Sequence, residues 1–124
     1  YNELACVHVE LKRHKLAIAD FEHALNLNPS SPLLSSISFN MGNLYNILGQ
    51  YSKAIESFNK TIELNPSHVY AYANRGNAYN NLGRYDCAVR DYEKFIEFAP
   101  LDLAEYVEQV KAVVRELKRR DFKM

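Results

Sequence analysis

The sequence predicts an all-α fold in which antiparallel helix pairs stack on one another as a solenoid. Three observations predict it: the chain overlays on itself after a shift of 34 residues, apolar residues recur at spacings of three and four, and no stretch alternates with a period of two. We therefore expect helices throughout, in a single domain over residues 1–124.

The internal repeat rests on residue types that have special roles in helical structures. At the offset of 34 the matching pairs are Gly42–Gly76, Tyr45–Tyr79, Gly49–Gly83, Tyr51–Tyr85, Ala54–Ala88, Phe58–Tyr92 and Pro66–Pro100. An incomplete copy lies upstream at an offset of 37, where Ala17, Phe21 and Pro29 align with the second copy. Agreement at so many glycines, prolines and aromatics indicates a true repeat.

The order of these copies predicts the organisation of the domain. It comprises a partial repeat one (1–34), repeat two (35–68), repeat three (69–102) and a capping helix (103–120). Each complete copy predicts two helices, of which the first ends at a glycine in a left-handed cap and the second ends at a proline. In repeat one, residues 2–12 and 15–28 are expected to form the corresponding pair.

After Pro100 the pattern changes to a helix with one apolar face. Its apolar stripe consists of Leu103, Val107, Val110, Val114 and Leu117. Stacked repeats leave an apolar surface at their end, and a one-sided amphipathic helix covers such a surface. This stripe therefore predicts the capping helix.

The spacing of these residues resembles the tetratricopeptide repeat, whose 34-residue pattern reads Trp-x2-Leu-Gly-x2-Tyr, then Ala-x3-Phe, then Pro. Repeat three reads Tyr72-x2-Arg75-Gly76-x2-Tyr79, then Ala88-x3-Tyr92, then Pro100. In repeat two, Ser38 stands in the aromatic position at the start of the pattern. The resemblance implies a right-handed superhelix whose first helices line a concave groove. It also implies a non-catalytic protein-interaction module, or scaffold, with a protein or peptide partner.

Charge and composition exclude several classes of function. The chain carries 15 basic and 15 acidic residues, a balance that argues against nucleic acid or an anionic membrane as the partner. We find no catalytic constellation, phosphate loop or metal-ligand spacing, so the sequence predicts no enzyme activity, no cofactor and no metal. Two cysteines are too few for a disulfide framework, which suits a cytoplasmic protein.

Repeated asparagines are the strongest indication of a binding surface. Asparagine is a poor helix former, yet the first helices of repeats two and three carry it at matching positions. The predicted peptide-binding residues are Phe39, Asn40, Asn43, Tyr70, Asn74, Asn77 and Asn81. An asparagine amide offers a donor and an acceptor side by side, which match one peptide unit of an extended chain. The alternative is that duplication copied neutral asparagines on a solvated surface.

One variant of the family clamps the C-terminal carboxylate of heat-shock chaperones with basic residues from successive first helices. In the two possible frames, its basic positions hold Asn2, Tyr70 and Asn74, or Phe39, Ala104 and Glu108. Without cations the groove cannot offset the desolvation of a carboxylate, so chaperone C-terminal tails are disfavoured. Two other functions stay open, namely the recruiting arm of a larger enzyme such as a glycosyltransferase, and a self-associating module that forms a homo-oligomer.

Overall fold

In a computed structural model of the chain, the described residues form helices and no strand, which confirms the all-α prediction. The structure describes the backbone of residues 2–27 and 30–122 and the side chains of residues 12–27, 30 and 32–119. The elements are α1 (Asn2–Leu25), α2 (Ser31–Ile47), α3 (Tyr51–Leu64), α4 (Val69–Asn81), α5 (Tyr85–Phe98), a 3-10 turn (Leu101–Leu103) and α6 (Ala104–Phe122). Each helix packs against the next, so the pairs α2–α3 and α4–α5 stack side by side with α6 at the end.

Glycine ends both first helices in the predicted left-handed cap. Gly49 has a φ of 76° and Gly83 a φ of 78°, a region that costs other residues about 1–2 kcal/mol. The Gln50 N–H donates to the Tyr45 carbonyl at 2.8 Å, and the equivalent bond in repeat three measures 2.9 Å. These bonds reverse the chain so that the second helix of each repeat runs back along the first.

The first repeat differs from its prediction because α1 is one continuous helix. The expected pair over 2–12 and 15–28 is wrong, since the backbone is helical from Asn2 to Leu25 without a break. Lys12 stands where the other repeats carry their capping glycine. A lysine disfavours the left-handed conformation that the turn needs, so the helix continues through this position.

The core lies between successive helices and depends on close approach at two glycines. A Cβ at Gly42 would lie 2.5 Å from Phe58 Cε1, and a Cβ at Gly76 would lie 2.9 Å from Tyr92 Cε1. Phe58 is fully buried and Tyr92 is 3% exposed, so neither ring has free space into which it could move. The first helix of each repeat therefore rests directly on a ring of the second helix.

Helix α6 covers the end of the stack. Val110, Val114 and Leu117 are buried in one cluster with Phe95 of α5. The 3-10 turn precedes α6, which begins at Ala104 rather than at the predicted residue 103. The apolar stripe read from the sequence thus faces the preceding helix pair.

Candidate peptide-binding groove

The first helices α2 and α4 contact each other and carry the predicted asparagines in two neighbouring rows. We name these rows the amide stripes: Asn40 and Asn43 on α2, and Asn74, Asn77 and Asn81 on α4. Asn40, Asn77 and Asn81 are exposed, whereas Asn43 and Asn74 are half-buried. All seven predicted residues thus lie on two adjacent helices, and five of them are the asparagines of the amide stripes.

A hydrogen bond joins the two amide stripes. Asn74 Nδ2 donates to Asn43 Oδ1 at 2.7 Å. Each side-chain amide has both a donor and an acceptor group, so the bond leaves Asn43 Nδ2 and Asn74 Oδ1 unpaired among the described residues. One donor and one acceptor, on neighbouring helices, therefore remain for a ligand. In an extended chain the N–H and C=O of one residue point to the same side, so such a donor and acceptor suit the two polar groups of a single ligand residue.

Asn77 and Asn81 also have partners within the protein. The Tyr92 hydroxyl donates to Asn77 Oδ1 at 2.5 Å, and burial raises the pKa of Tyr92 to about 12, so the phenol keeps its proton. Asn81 Nδ2 donates to the Asn77 carbonyl of its own helix at 2.9 Å. For a ligand, Asn77 therefore retains its Nδ2 donor and Asn81 its Oδ1 acceptor. In the described part of the chain, the exposed amide of Asn40 has no hydrogen-bond partner.

The two predicted aromatic residues differ in how far they are available to a ligand. Tyr70 is 42% exposed, and its ring centroid lies 6.5 Å from that of Phe95. Phe39 is half-buried, and its ring centroid lies 4.4 Å from that of His68 and 6.0 Å from that of Phe58. Tyr70 can thus contact a ligand, whereas the ring of Phe39 is largely used in packing.

Asn46 is a polar residue between the two helices that the sequence did not single out as part of the site. Asn46 Nδ2 donates from α2 to the Asn74 carbonyl of α4 at 3.1 Å. Its Oδ1 is buried and has no hydrogen-bond partner among the described residues. In the sequence, the match of Asn46 with Asn80 in the next repeat is the feature that could have marked this residue. A repeated position alone does not distinguish an asparagine that faces a ligand from one that joins two helices.

The groove helices carry almost no free charge. Helix α2 has no acidic or basic residue, and Arg75 is the only one in α4. Arg75 donates to both carboxylate oxygens of Asp91, at 2.8 and 2.7 Å, and to Asn59 Oδ1 at 2.8 Å. On α6 the equivalent row holds Glu108, Lys111 and the exposed Arg115, and Lys111 pairs with Glu108 at 3.4 Å. The surface around the amide stripes is therefore polar and close to neutral.

Across the residues that the structure describes, no group of three or more His, Cys, Asp or Glu side chains is placed to hold a metal ion. Cys87 is a half-buried free thiol. None of the helices in this part of the chain combines the length and apolar character needed to cross a membrane.

Comparison with known proteins identifies the repeat. The family described as "TPR repeat" matches residues 42–83, and the family described as "Tetratricopeptide repeat" matches residues 1–31 and 69–100. The chain is similar to the first TPR of Spaghetti (RPAP3) bound to the HSP90 peptide SRMEEVD, with a TM-score of 0.67 and 20% identity over 91% of this chain and 89% of that one. It is also similar to the Sgt2 TPR domain from Aspergillus fumigatus, with a TM-score of 0.67 and 24% identity over 94% of this chain and 78% of that one. These structural likenesses support the fold.

A curated relative is much longer than this chain. The chain is 31% identical over 75 residues to protein O-mannosyl-transferase TMTC1 from Mus musculus. The match covers 60% of this chain and 8% of that protein. The shared segment is thus a small part of the relative.

Proposed function

Because the chain belongs to the tetratricopeptide repeat family, we propose that it is a non-catalytic protein-interaction module that binds an extended peptide segment along its amide stripes. The observation that carries this proposal is the hydrogen bond from Asn74 Nδ2 to Asn43 Oδ1 at 2.7 Å. It fixes one unpaired donor and one unpaired acceptor on neighbouring helices, at the centre of the two stripes.

Recognition follows from the polar groups of the ligand's backbone. An extended segment exposes N–H and C=O groups that must be paired when the segment is buried. Asn43 Nδ2 donates to a ligand carbonyl, and Asn74 Oδ1 accepts from a ligand N–H. The exposed ring of Tyr70 adds apolar contact beside the stripe on α4. Pairing with the backbone leaves the side chains of the ligand free, so segments of different sequence can bind.

The near-neutral groove selects an uncharged segment. The one charged residue of α2 and α4, Arg75, is already paired with Asp91. A ligand carboxylate would lose its hydration without gaining a cation, which is costly. Raising the salt concentration from about 0.1 to 1 M therefore leaves the affinity of the groove nearly unchanged, since screening acts only on charges.

The test uses a ligand selected on the wild-type domain from a phage-displayed library of random linear peptides. Fluorescence polarisation then gives the Kd for wild type, for the double variant Asn40→Ala with Asn43→Ala, and for Asn26→Ala, an exposed asparagine outside the stripes. A net hydrogen bond contributes about 0.5–1.5 kcal/mol, so we expect the double variant to bind about five- to a hundredfold more weakly. Asn26→Ala should bind as wild type does. One common Kd for all three proteins would contradict the proposal.

The acidic peptide SRMEEVD, which is bound in the similar structure of Spaghetti (RPAP3), is a second probe for the same assay. We expect no saturable binding of this peptide below about 1 mM, because α2 and α4 offer no free cation. Tight binding that is lost on Asn40→Ala with Asn43→Ala would show that the groove accepts carboxylates after all.

The likeness to the mannosyltransferase favours a second candidate function, in which this domain is the substrate-recruiting arm of a glycosyltransferase. This candidate rests on the 31% identity with the mannosyltransferase, of which the matched segment is 8%. In that case the amide stripes hold the polypeptide acceptor for the catalytic part. An antibody raised against residues 31–119 distinguishes the two possibilities in cell extracts. A band near 14.3 kDa indicates a separate module, and a much larger band indicates an arm.

A further inference from the structure

The side of α2 away from the amide stripes holds a cleft that peptide binding in the groove does not use. The cleft has a volume of about 390 Å³ and is lined by residues of α1, α2 and α3, with Ser38 and Met41 of α2 among them. Ser38 and Met41 each lie two positions before an asparagine of the stripe on α2. Two positions correspond to about 200° around a helix, so the cleft and the stripe occupy opposite sides of α2.

In repeat three a tyrosine occupies the position that Ser38 has in the cleft. The residue equivalent to Ser38 is Tyr72, which is 7% exposed. The Tyr72 hydroxyl donates to the Pro66 carbonyl at 3.0 Å, and Arg75 Cζ lies 5.7 Å from the centroid of the ring. Ser38 has no ring, so the aromatic side chain of this position is missing from repeat two.

Repeat two also lacks the hydrogen bonds that join neighbouring helices at this position in repeat three. In repeat three, Arg75 of α4 reaches Asn59 of α3 and Asp91 of α5 and so ties the two second helices together. The residues equivalent to Arg75 and Asp91 in repeat two are Met41 and Ser57, which also line the cleft. A methionine cannot donate a hydrogen bond, so Met41 cannot join α1 to α3 as Arg75 joins α3 to α5. The cleft lies at this position.

The rim of the cleft carries charge. Lys53, Glu56 and Lys60 are exposed on α3 and line its edge, and the charge of Glu22 on α1 also acts on Tyr45. Lys53 Nζ lies 5.8 Å from the centroid of the Tyr45 ring, a residue of the floor. An aromatic ring in the cleft would thus meet Tyr45 and Met41, and an acidic group beside that ring would meet a lysine.

We propose that this cleft is a second binding site, which accepts one aromatic side chain of a partner protein together with a neighbouring acidic residue. The ring takes the place that Tyr72 fills in repeat three, on a floor that includes Met41 and Tyr45, and the carboxylate pairs with Lys53 or Lys60. The site does not depend on the amide stripes, so a partner can occupy both sides of α2.

The probe is the peptide acetyl-Asp-Tyr-Asp-amide, with acetyl-Asp-Ala-Asp-amide as its matched control, titrated into the ¹⁵N-labelled protein. We expect the tyrosine peptide to shift the backbone amide signals of Ser38, Met41 and Ser57, and to bind about tenfold or more tightly than the alanine peptide. Ser38→Tyr fills the cleft from within and should weaken binding of the tyrosine peptide by about tenfold or more. The same change at the exposed Ser36, on the stripe side of α2, should leave it unchanged.

A second variant covers the case in which Ser38→Tyr does not fold. Lys53 and Lys60 are exposed, so Lys53→Glu with Lys60→Glu keeps the fold and reverses the charge of the rim. We expect this variant to bind the tyrosine peptide about tenfold more weakly. The proposal is overturned if the tyrosine and alanine peptides bind alike, if a folded Ser38→Tyr or the double lysine variant retains full affinity, or if the signals that shift belong to the amide stripes.

Discussion

At the scale of single residues, Arg75 and Asp91 form an ion pair that is largely buried. Their side chains are 19% and 8% exposed and meet at 2.7 Å. Burial disfavours the charge on Arg75, but the hydrogen bonds and the charge of Asp91 outweigh it and raise the pKa of Arg75. The pair is thus stable because each partner compensates the buried charge of the other.

Removing only one partner of this pair should be costly. Asp91→Ala leaves the guanidinium largely buried and unpaired, so we expect the free energy of unfolding to fall by about 3–5 kcal/mol in urea denaturation. The double variant Arg75→Met with Asp91→Ser installs the residues that repeat two uses, Met41 and Ser57. Because it leaves no unpaired charge, its loss should be smaller than that of Asp91→Ala. A double variant less stable than the single variant would contradict this view of the pair.

The asparagines of the site could be predicted as a set but not one by one. Their recurrence in mid-helix marked Asn43, Asn74 and Asn77 in the sequence. Their partners depend on the distance at which helices cross: Asn74 bonds to Asn43, and Asn77 accepts from Tyr92 of α5. Sequence spacing fixes the face of a helix on which a residue lies, whereas cross-helix bonds depend on packing that spacing does not describe. Because of these bonds, replacing Asn74 or Asn77 by alanine also removes a contact within the fold.

At the scale of elements, helix α4 begins with a histidine cap that depends on protonation. His68 Nδ1 accepts from the Ala71 N–H at 3.3 Å. Only a neutral imidazole has a nitrogen that can accept a hydrogen bond. Burial lowers the pKa of His68 below its ordinary value of 6.5, so the folded protein holds the neutral form.

This cap predicts a pH dependence of stability. The unfolded state binds the proton at about pH 6.5, and the folded state binds it only at a lower pH. The stabilisation is therefore fully present above pH 6.5 and is lost as the pH falls from there through the folded pKa of His68. His68→Asn, which caps without titrating, should have a flatter dependence in urea denaturation at a series of pH values. Parallel curves for the two proteins would mean that His68 does not control this helix.

The two faces of α6 supply a matched test of the capping helix. Val110 is 4% exposed and Val113 is 37% exposed. Val110→Asp places a carboxylate against the cluster around Phe95, and we expect it to lower the free energy of unfolding by more than about 3 kcal/mol. Val113→Asp should cost less than about 1 kcal/mol, because its carboxylate stays solvated. Similar losses from the two variants, measured by thermal unfolding, would contradict the assignment of the buried face.

The turns between the paired helices occur where the sequence has a capping glycine. The starts of α3 at Tyr51 and α5 at Tyr85 follow directly from the glycine caps before them. In repeat one the repeat pattern suggested a turn, but the position of the glycine holds Lys12. The backbone at Lys12 is helical, and α1 continues through this position. A family pattern therefore predicts a turn only where the residue that permits the turn is also present.

At the scale of the whole molecule, two successive repeats of one pattern have different surfaces on their two sides. On the groove side they are alike, since asparagines of both repeats meet at the Asn43–Asn74 bond. On the other side they differ, because the ring of Tyr72 in repeat three is replaced in repeat two by Ser38, which lines the cleft. The near-neutral groove and the charged cleft therefore suit ligands of different chemistry. The repeat pattern predicts the fold, and a residue that departs from the pattern, such as Ser38, indicates where the surface of one repeat differs from that of the next.

The most direct test of peptide binding by the amide stripes is the NMR response of the asparagine side chains themselves. Adding the library-selected peptide to the ¹⁵N-labelled protein should shift the Nδ2 signals of Asn43 and Asn77 and slow their exchange with water, because these donors become paired. The Nδ2 signal of Asn26, outside the stripes, should stay where it is. If the peptide saturates the protein while the Asn43 and Asn77 side-chain signals remain unchanged, the amide stripes do not hold the ligand.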